Sequence, residues 1–283
     1  MLGQFEYARA VSLKEACRLL RDEGEAARAF AGGTDLLVEI RNGVRSPSLL
    51  VDIKPIEALS ILETNGRDRA LRVGPAVTLN RLAENADLRD RLPALADAAL
   101  SIATYQLRNR ATLGGNLCNA SPASDSIPPL IVAGAIMEIT GADGTREVPL
   151  DCFCTGVKKT CLETGEIVSA VRIPTVAEGT KTVFLKQQRI KGHDLAVANL
   201  AGALSPIDGL LKFSIGSCTP TPLLLGPIET RGHSVDAISE EAVRLAAESI
   251  SPISDVRASA EYRQAVVPAL VCRLVHGLMK GGA

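Results

Sequence analysis

The sequence predicts an α+β protein that opens with a β-α-β unit and ends with helices packed on an antiparallel sheet. Strand-like and helix-like patterns alternate over the first fifty residues, and short β-type runs follow one another between about residues 183 and 228. Two stretches with helical spacing, Val235–Ile250 and Ser259–Met279, close the chain. With 283 residues, of which 46% are hydrophobic, the chain is long enough for a sizeable core and two or three domains.

The first predicted element is a helix that begins after Ser12 and ends near Gly24. Ser12 and Glu15 have the spacing of a capping box, in which each side chain satisfies a main-chain amide of the first turn. The apolar residues then recur at helical spacing on one face, at Leu13, Ala16, Cys17 and Leu20.

A strand, a glycine turn, a second helix and a second strand are predicted next. The strand covers Ala27–Phe30, and Ala31-Gly32-Gly33 forms the turn. Thr34 is the expected N-cap of a helix that stops at Asn42-Gly43. Leu49–Ile53 then reads as a buried strand, which completes the β-α-β unit.

The middle of the chain mixes helices with antiparallel strands. We expect a strand near Leu71–Val73 and helices over Thr78–Leu88 and Pro93–Tyr105. A hairpin should turn at Gly141–Gly144, between the apolar run at 135–139 and the segment at 145–149.

Composition argues against several functional classes. Thirty-one basic and thirty-two acidic side chains give a net charge of −1, so the excess positive charge that nucleic-acid binding requires is missing. The longest apolar run, Leu130–Met137, is far shorter than the roughly 20 residues of a membrane span. The first residues do not resemble a secretion signal, so a cytoplasmic location is expected. The odd number of cysteines, seven, favours reduced thiols.

Two Gly-Gly segments carry the strongest chemical signal. They are Ala31-Gly-Gly-Thr-Asp35 and Thr112-Leu-Gly-Gly-Asn116. Consecutive glycines can direct several main-chain amides into one concavity that suits a phosphate, so each segment could hold one phosphate of a pyrophosphate. Each can equally be an ordinary tight turn, and neither a G-x-G-x-x-G nor a Walker-type motif is present.

Longer strings resemble a known family. Ala31–Leu37, the run from Ile102 to Asp125, and Ser251–Arg263 are similar to segments of the FAD-binding medium subunits of the molybdenum hydroxylases, the xanthine dehydrogenase and carbon monoxide dehydrogenase family. Shorter matches at 148–150, 166–174 and 184–189 extend the resemblance over nearly the whole chain.

The resemblance implies a vanillyl-alcohol-oxidase-like (PCMH-type) FAD-binding fold in two subdomains, 1–55 and 56–176, followed by a flavoprotein C-terminal domain at 177–283. It also implies FAD as the cofactor, with the pyrophosphate on the two glycine segments. The departure at Gln188–His193, where relatives often have paired arginines and glycines, leaves the surroundings of the flavin ring open. The FAD-binding residues carried over from the family are Ala31, Gly32, Gly33, Thr34, Asp35, Ile102, Thr112, Leu113, Gly114, Gly115, Asn116, Asp125, Lys186, Asp194 and Leu195.

The same resemblance implies partners, because no molybdenum-ligand motif and no iron–sulfur motif is visible in the sequence. They would be a molybdopterin-binding large subunit and a small subunit with two [2Fe-2S] clusters, arranged as a dimer of heterotrimers. This chain would pass electrons to an external acceptor and carry neither a catalytic residue nor a metal ligand. Two alternatives stay open: an assembly or regulatory protein that has lost the flavin, and a free-standing flavoprotein oxidoreductase.

Four cysteines, Cys118, Cys152, Cys154 and Cys161, raise the question of an iron–sulfur cluster. Their spacing differs from the common C-x2-C forms, and cysteine is often buried as a small apolar residue, so no cluster is expected. If Leu150–Phe153 is extended, Cys152 and Cys154 lie on one face and pack against the core.

Overall fold

The first part of the chain forms a three-stranded parallel sheet. The computed structural model describes residues 4–65 and 70–280. Residues 1–3 of the first predicted domain and residues 281–283 of the third lie outside this range. The strand order is β1-β3-β2, with the fully buried β3 in the centre. The predicted β-α-β unit is therefore confirmed. Its elements are β1 (Glu6–Arg9), α1 (Leu13–Glu23), β2 (Ala27–Phe30), α2 (Leu36–Arg41) and β3 (Leu49–Asp52).

Local capping explains where α1 begins but not where α2 begins. Ser12 Oγ accepts a hydrogen bond from the Glu15 amide at 3.2 Å, while Glu15 Oε2 accepts from the Val11 amide at 2.9 Å, one residue earlier than in an ideal capping box. Thr34 was the expected N-cap of α2, but Asp35 occupies that position and makes no side-chain capping bond. The short α2 thus begins without a side-chain cap, and Ile40 is its buried residue.

The second part is an antiparallel five-stranded sheet covered by short helices. Its strands have the order β4-β5-β10-β6-β7, and β8 and β9 form a separate two-stranded hairpin. The elements in chain order are β4 (Leu62–Asn65), β5 (Ala70–Val73), α3 (Leu79–Glu84), α4 (Ala86–Arg91), α5 (Pro93–Ser101), α6 (Tyr105–Arg108), α7 (Leu113–Cys118), α8 (Ile127–Val132), β6 (Ile136–Gly141), β7 (Gly144–Pro149), α9 (Leu150–Phe153), β8 (Cys154–Gly156), β9 (Lys159–Thr160) and β10 (Ile167–Ile173).

The helices of this part bury their apolar faces against the sheet in one hydrophobic core. Leu79, Leu82, Leu95 and Phe153 are fully buried there. Each such side chain contributes on the order of 1.5–3 kcal/mol by leaving water. The predicted hairpin is confirmed, because β6 and β7 pair across the turn between Gly141 and Gly144.

Three predictions for this part were wrong, each for a local reason. The helix expected over Pro93–Tyr105 ends at Ser101, just before Ala103 with its φ of +47°. The single helix expected over Thr78–Leu88 is divided, because Asn85 Oδ1 accepts from the Leu88 amide at 2.8 Å and starts α4. Leu150–Phe153 is a helical turn rather than an extended segment. Cys152 is consequently exposed whereas Cys154 is buried, so these two cysteines do not share a face.

The third part packs two long helices on an antiparallel sheet, as predicted. The four strands follow one another in chain order, β11-β12-β13-β14. Leu200, Phe213, Val271 and Leu274 are among its fully buried residues. Its elements are β11 (Lys181–Gln187), β12 (Ala198–Leu204), β13 (Leu210–Gly216), β14 (Leu223–Glu229), α10 (Val235–Ser249) and α11 (Ala260–Lys280).

Direct hydrogen bonds join the third part to the second. The Ala94 amide donates to Thr182 Oγ1 at 3.3 Å, and the Ser217 amide donates to the Pro122 carbonyl at 2.7 Å. Among the described residues, no helix combines the length and the apolar character needed to cross a bilayer.

Candidate functional site

A large cleft of about 1070 Å³ lies where the three parts of the chain meet. All the residues carried over as FAD-binding line it, with the exception of Leu113. The Leu113 side chain is fully buried in the core of the second part and does not reach the cleft. The structure thus brings together residues that are up to about 160 positions apart in the sequence.

The first glycine segment offers free main-chain donors to the cleft. Within the described part of the chain, no hydrogen bond uses the amides of Gly32, Gly33, Thr34 or Asp35. Gly33 has a φ of +71°, a backbone conformation that glycine adopts without strain. Several free amides in one turn form a site for a phosphate or another anion.

Gly32 brings the two glycine segments into contact. A Cβ at this position would lie 2.1 Å from the Arg110 carbonyl oxygen, so only glycine fits against the backbone of Arg110 and Ala111. That backbone leads directly into Thr112 and the second glycine segment. The close approach therefore places both segments on the same cleft.

The second glycine segment was predicted to be a turn with free amides, and the structure shows a helix instead. It is the first part of α7, and its donors already have partners: the Gly114 amide donates to the Pro75 carbonyl at 2.9 Å and the Gly115 amide to Thr112 Oγ1 at 3.1 Å. Gly114 is needed because a Cβ would lie 2.3 Å from Pro75 Cβ. Gly115 is exposed on the cleft, and a Cβ there would contact only Thr112 Oγ1, at 3.1 Å.

Asn116 presents its side-chain amide beside Gly115. Its Oδ1 accepts hydrogen bonds from the hydroxyls of Ser124 and Ser126, both at 2.5 Å. With the oxygen held in this way, the Nδ2 group has no protein partner among the described residues and is available as a donor on the cleft wall.

Asp125 and Lys186 form an ion pair in the wall between the second and third parts. Lys186 Nζ lies 2.7 Å from Asp125 Oδ2, and Asn199 Nδ2 donates to Asp125 Oδ1, also at 2.7 Å. Burial raises the pKa of Asp125 above its ordinary value, although the Lys186 charge opposes this shift. The pair gives the cleft a charged group that is held in place from two sides.

Sequence analysis did not identify a group of cations near the first glycine segment. Arg45 Nε lies 2.6 Å and Lys158 Nζ lies 3.3 Å from the carboxylate of Glu39, and all three residues line the cleft. Burial alone would raise the pKa of Glu39, but the hydrogen bonds and charges of Arg45 and Lys158 hold it below its ordinary value. Lys158 is more than a hundred residues from Glu39 in sequence, so no local pattern indicates the contact.

Asp194 and Leu195 line the cleft from the connection between β11 and β12. Asp194 is paired with Arg189 at 2.9 Å, and this hydrogen bond lowers the pKa of Asp194 to about 2. Leu195 is 61% exposed. Arg257, which belongs to the Ser251–Arg263 string but was not predicted as a site residue, also lines the cleft.

These groups fit a long cofactor with an anionic centre. The first glycine segment offers free amides, Arg45 and Lys158 bring positive charge to the same cleft, and Asn116 adds a side-chain donor. FAD supplies transfer of electrons singly or in pairs when it is bound, while the protein provides binding and orientation. The residues on the cleft therefore fit the cofactor that the sequence resemblance implied.

Comparison with known proteins identifies the family. Residues 3–176 match the family described as the FAD binding domain in molybdopterin dehydrogenase, and residues 183–278 match the CO dehydrogenase flavoprotein C-terminal domain. The chain is 32% identical over 280 residues to the xanthine dehydrogenase FAD-binding subunit of Escherichia coli O157:H7, covering 95% of this chain and 94% of that protein.

Two further relatives are carbon monoxide dehydrogenases. The medium chain from Afipia carboxidovorans is 33% identical over 280 residues, covering 96% of each protein. The fold matches a chain of the reconstituted CO dehydrogenase from Oligotropha carboxidovorans with a TM-score of 0.93 and 30% identity, over 98% of both chains. Together with the cleft geometry, these matches show that the chain belongs to the FAD-binding medium subunits of the molybdenum hydroxylases, which are oxidoreductase subunits with FAD as their cofactor.

Proposed function

We propose that this chain is the electron outlet of a heteromultimeric molybdenum hydroxylase. It would take electrons from a [2Fe-2S] small subunit and pass them from FAD to an external acceptor, while a molybdopterin-binding large subunit oxidises the substrate. A dimer of such heterotrimers in the cytoplasm is the assembly we infer. The observation that carries the proposal is the cleft that joins free amides, paired cations and an ordered ion pair.

We assign the FAD pyrophosphate to the first glycine segment. The free amides of Gly32–Asp35 and the positive charges of Arg45 and Lys158 support this assignment, because both favour an anion. Asn116 would add a donor from α7. Gly114 and Gly115 would line the cleft beside Thr112 by close packing rather than by free amides, since their amides already have partners.

The flavin end of the cofactor would then extend toward the third part of the chain. Ile102, Asp125, Lys186, Asp194 and Leu195 line that end of the cleft. Residues 1–55 and 56–176 would form the two subdomains that enclose FAD, and residues 177–283 the domain that closes the ring end. The cofactor would be bound noncovalently, through hydrogen bonds, charges and packing.

The cleft would hold the cofactor, and its described residues show no arrangement for substrate chemistry of their own. His193 is the one histidine that lines the cleft among the described residues, and there no carboxylate orients it as a base. Substrate oxidation therefore belongs to a partner subunit in this proposal, and the chain contributes electron transfer.

The proposal is tested by purifying the chain alone and with its partners. We expect the isolated chain to be yellow, to release FAD on denaturation, and to reduce artificial dyes only weakly. Co-purification from the native host, followed by mass spectrometry of the bound subunits and metal analysis, should recover a large and a small subunit. Robust turnover of a substrate by the pure single chain would contradict the proposal, as would a chain that binds no flavin.

A further inference from the structure

Arg108 is a buried cation that does not line the cleft. Its guanidinium donates hydrogen bonds to the carbonyls of Leu100, Ile102 and Ala103 at 3.1, 3.0 and 2.9 Å. Its Nε donates to Asn80 Oδ1 at 2.9 Å. All its partners are uncharged oxygens, and no carboxylate pairs with it in the described part of the chain. A buried charge of this kind is held only where many acceptors converge on it.

The segment that Arg108 holds is strained. Ala103 has a φ of +47°, in the left-handed region that is unfavourable for a residue with a Cβ. Arg108 donates to the carbonyl of Ala103 and to the carbonyl of the preceding residue, Ile102. Its charge also lies at the carboxyl end of α5, where a cation is favourable.

A second cation supports the same segment from the third part of the chain. Lys186 Nζ donates to the Ser101 carbonyl at 3.1 Å while it pairs with Asp125. Four successive carbonyls, from residue 100 to residue 103, are thus each bound by a buried cation. These hydrogen bonds fix the backbone of residues 100–103, although the segment is a loop after Ser101.

The carbonyl contacts leave the amides of the segment unused. Within the described residues, no hydrogen bond takes the main-chain amide of Ala103 or Thr104, and both residues line the cleft. Unpaired amides on a wall that is held rigid are donors prepared for a ligand, because their orientation costs no free energy at binding.

We propose that Arg108 is a positioning residue for the FAD site. Arg108 holds Ile102–Thr104 in a strained conformation, and this conformation presents the Ala103 and Thr104 amides to acceptor atoms of the cofactor. The inference rests on the proposed placement of FAD in this cleft. Arg108 acts through the backbone and does not itself contact FAD.

The test is a double-mutant cycle between Arg108→Gln and Ala103→Gly, read out by FAD titration of the flavin-free chain. Without Arg108, Ala103 should relax to a negative φ and move the wall of the cleft. We therefore expect the Kd for FAD to rise about tenfold or more, which corresponds to the loss of a few hydrogen bonds. In the Ala103→Gly background the left-handed conformation carries no strain, so the same Arg108 change should cost less than about threefold.

Three further measurements make the result decisive. Arg110→Gln, which removes an exposed arginine two residues away, is the matched control and should bind FAD as the parent chain does. The visible spectrum of bound FAD should change in Arg108→Gln and not in Arg110→Gln. Arg108→Lys keeps the charge but not the fork of donors, and it replaces Arg108→Gln if that variant fails to fold.

Two outcomes would overturn the inference. One is a folded Arg108 variant whose FAD affinity and spectrum equal those of the parent chain. The other is the same affinity loss in both Ala103 backgrounds, which would mean a general structural role for Arg108. If instead the parent chain bound no FAD, or a variant inside the cleft such as Gly115→Val had no effect, the proposed site itself would be wrong.

Discussion

Lys186 Nζ lies 2.7 Å from Asp125 Oδ2 in an ion pair whose side chains are only 7% and 6% exposed. The pair joins β11 of the third part to the connection between α7 and α8 in the second. Removing two charges from water is costly, and the mutual attraction of such a pair rarely exceeds this cost by much. The pair is therefore better understood as fixing the relative position of the two parts at the cleft than as a source of net stability.

The first prediction concerns the loss of one partner of this pair. Lys186→Met should lower the free energy of unfolding by roughly 3–5 kcal/mol at neutral pH, because Asp125 is left buried without its counter-charge. The pKa of Asp125, already raised by burial, should rise further. A carboxyl with a raised pKa is protonated more readily in the folded state. The destabilisation of Lys186→Met relative to the parent chain should therefore become smaller as the pH falls toward about 5.

Urea unfolding of the flavin-free chain at several pH values measures this effect. Adding Asp125→Asn to Lys186→Met should recover part of the lost stability and remove the pH dependence. Titration with FAD should show weaker binding or a shifted flavin midpoint potential in Lys186→Met, because the variant removes a positive charge from the cleft. Unchanged affinity and unchanged potential would remove Lys186 from the site.

The second prediction separates the two glycine segments. Gly115→Val should abolish FAD binding and leave the flavin-free chain folded, because its side chain would project into the cleft next to Thr112. Gly33→Val is not an equivalent test. Its Cβ would lie 2.4 Å from the Phe30 ring, and its φ is +71°, so loss of stability should accompany any loss of flavin.

Flavin content after purification and thermal unfolding of the flavin-free proteins distinguish the two effects. Gly156→Val is the control, since Gly156 lies in β8 away from the cleft wall and its Cβ would be 3.8 Å from Lys159. A Gly115→Val protein with normal flavin content would mean that α7 does not contact the cofactor.

Local patterns predicted most of the fold because its elements are stabilised by neighbours in sequence. Ser12 and Glu15 cap α1, and the strand predicted at Ala27–Phe30 corresponds to β2 without a shift. The conformation of Thr112–Asn116 was not predictable in this way. Its helical geometry depends on the Pro75 and Val77 carbonyls, which accept from Gly114 and Leu113 across more than thirty residues.

The candidate site shows the same division. The two glycine segments were recognisable because they are continuous strings, whereas the roles of Lys158, Arg108 and Arg257 depend on contacts made only after folding. Arg108 stands within a recognised string, yet its sequence neighbours give no sign that its side chain turns away from the cleft and binds the carbonyls of the preceding segment.

The third prediction concerns the acidic limit of stability. Asp255 Oδ1 lies 2.8 Å from the guanidinium of Arg263, which is fully buried, and Asp255 also binds Arg257. Burial opposes ionisation of Asp255, but the hydrogen bonds and charges of the two arginines lower its pKa well below the ordinary value. The stabilisation is thus complete above the unfolded pKa near 4 and is lost as the pH falls toward the folded value.

Asp255→Asn should therefore destabilise the chain by about 2–4 kcal/mol at neutral pH, less than for a fully enclosed pair because Asp255 is one-fifth exposed. Its stability should also vary less with pH below about 4. Glu241→Gln, which breaks an exposed pair with Arg244 on α10, is the control and should change little. Equal acid sensitivity in the parent and Asp255→Asn would show that another group governs acid unfolding.

The fourth prediction concerns Cys118, which is exposed on the cleft. The protein around its thiol raises the pKa of Cys118 to about 12, with a further contribution from the nearby Cys154 and Cys161. Because the thiolate is the reactive form, iodoacetamide should modify Cys118 more slowly than Cys152, which is exposed on the outer surface. FAD should slow the reaction of Cys118 further and leave Cys152 unaffected; faster reaction at Cys118 than at Cys152 would contradict the raised pKa of its thiol.

The last prediction is that the isolated chain contains flavin without stoichiometric iron. The described residues include no group of three or more cysteine, histidine or acidic side chains arranged to hold a metal ion. Cys152 is exposed on α9 whereas Cys154 is buried at the start of β8, so the two thiols lie in different environments. Iron analysis of anaerobically purified protein tests this directly, with the variant in which Cys118, Cys152, Cys154 and Cys161 are all replaced by Ser as control. About four irons per chain, lost in that variant, would show that this subunit carries a cluster of its own.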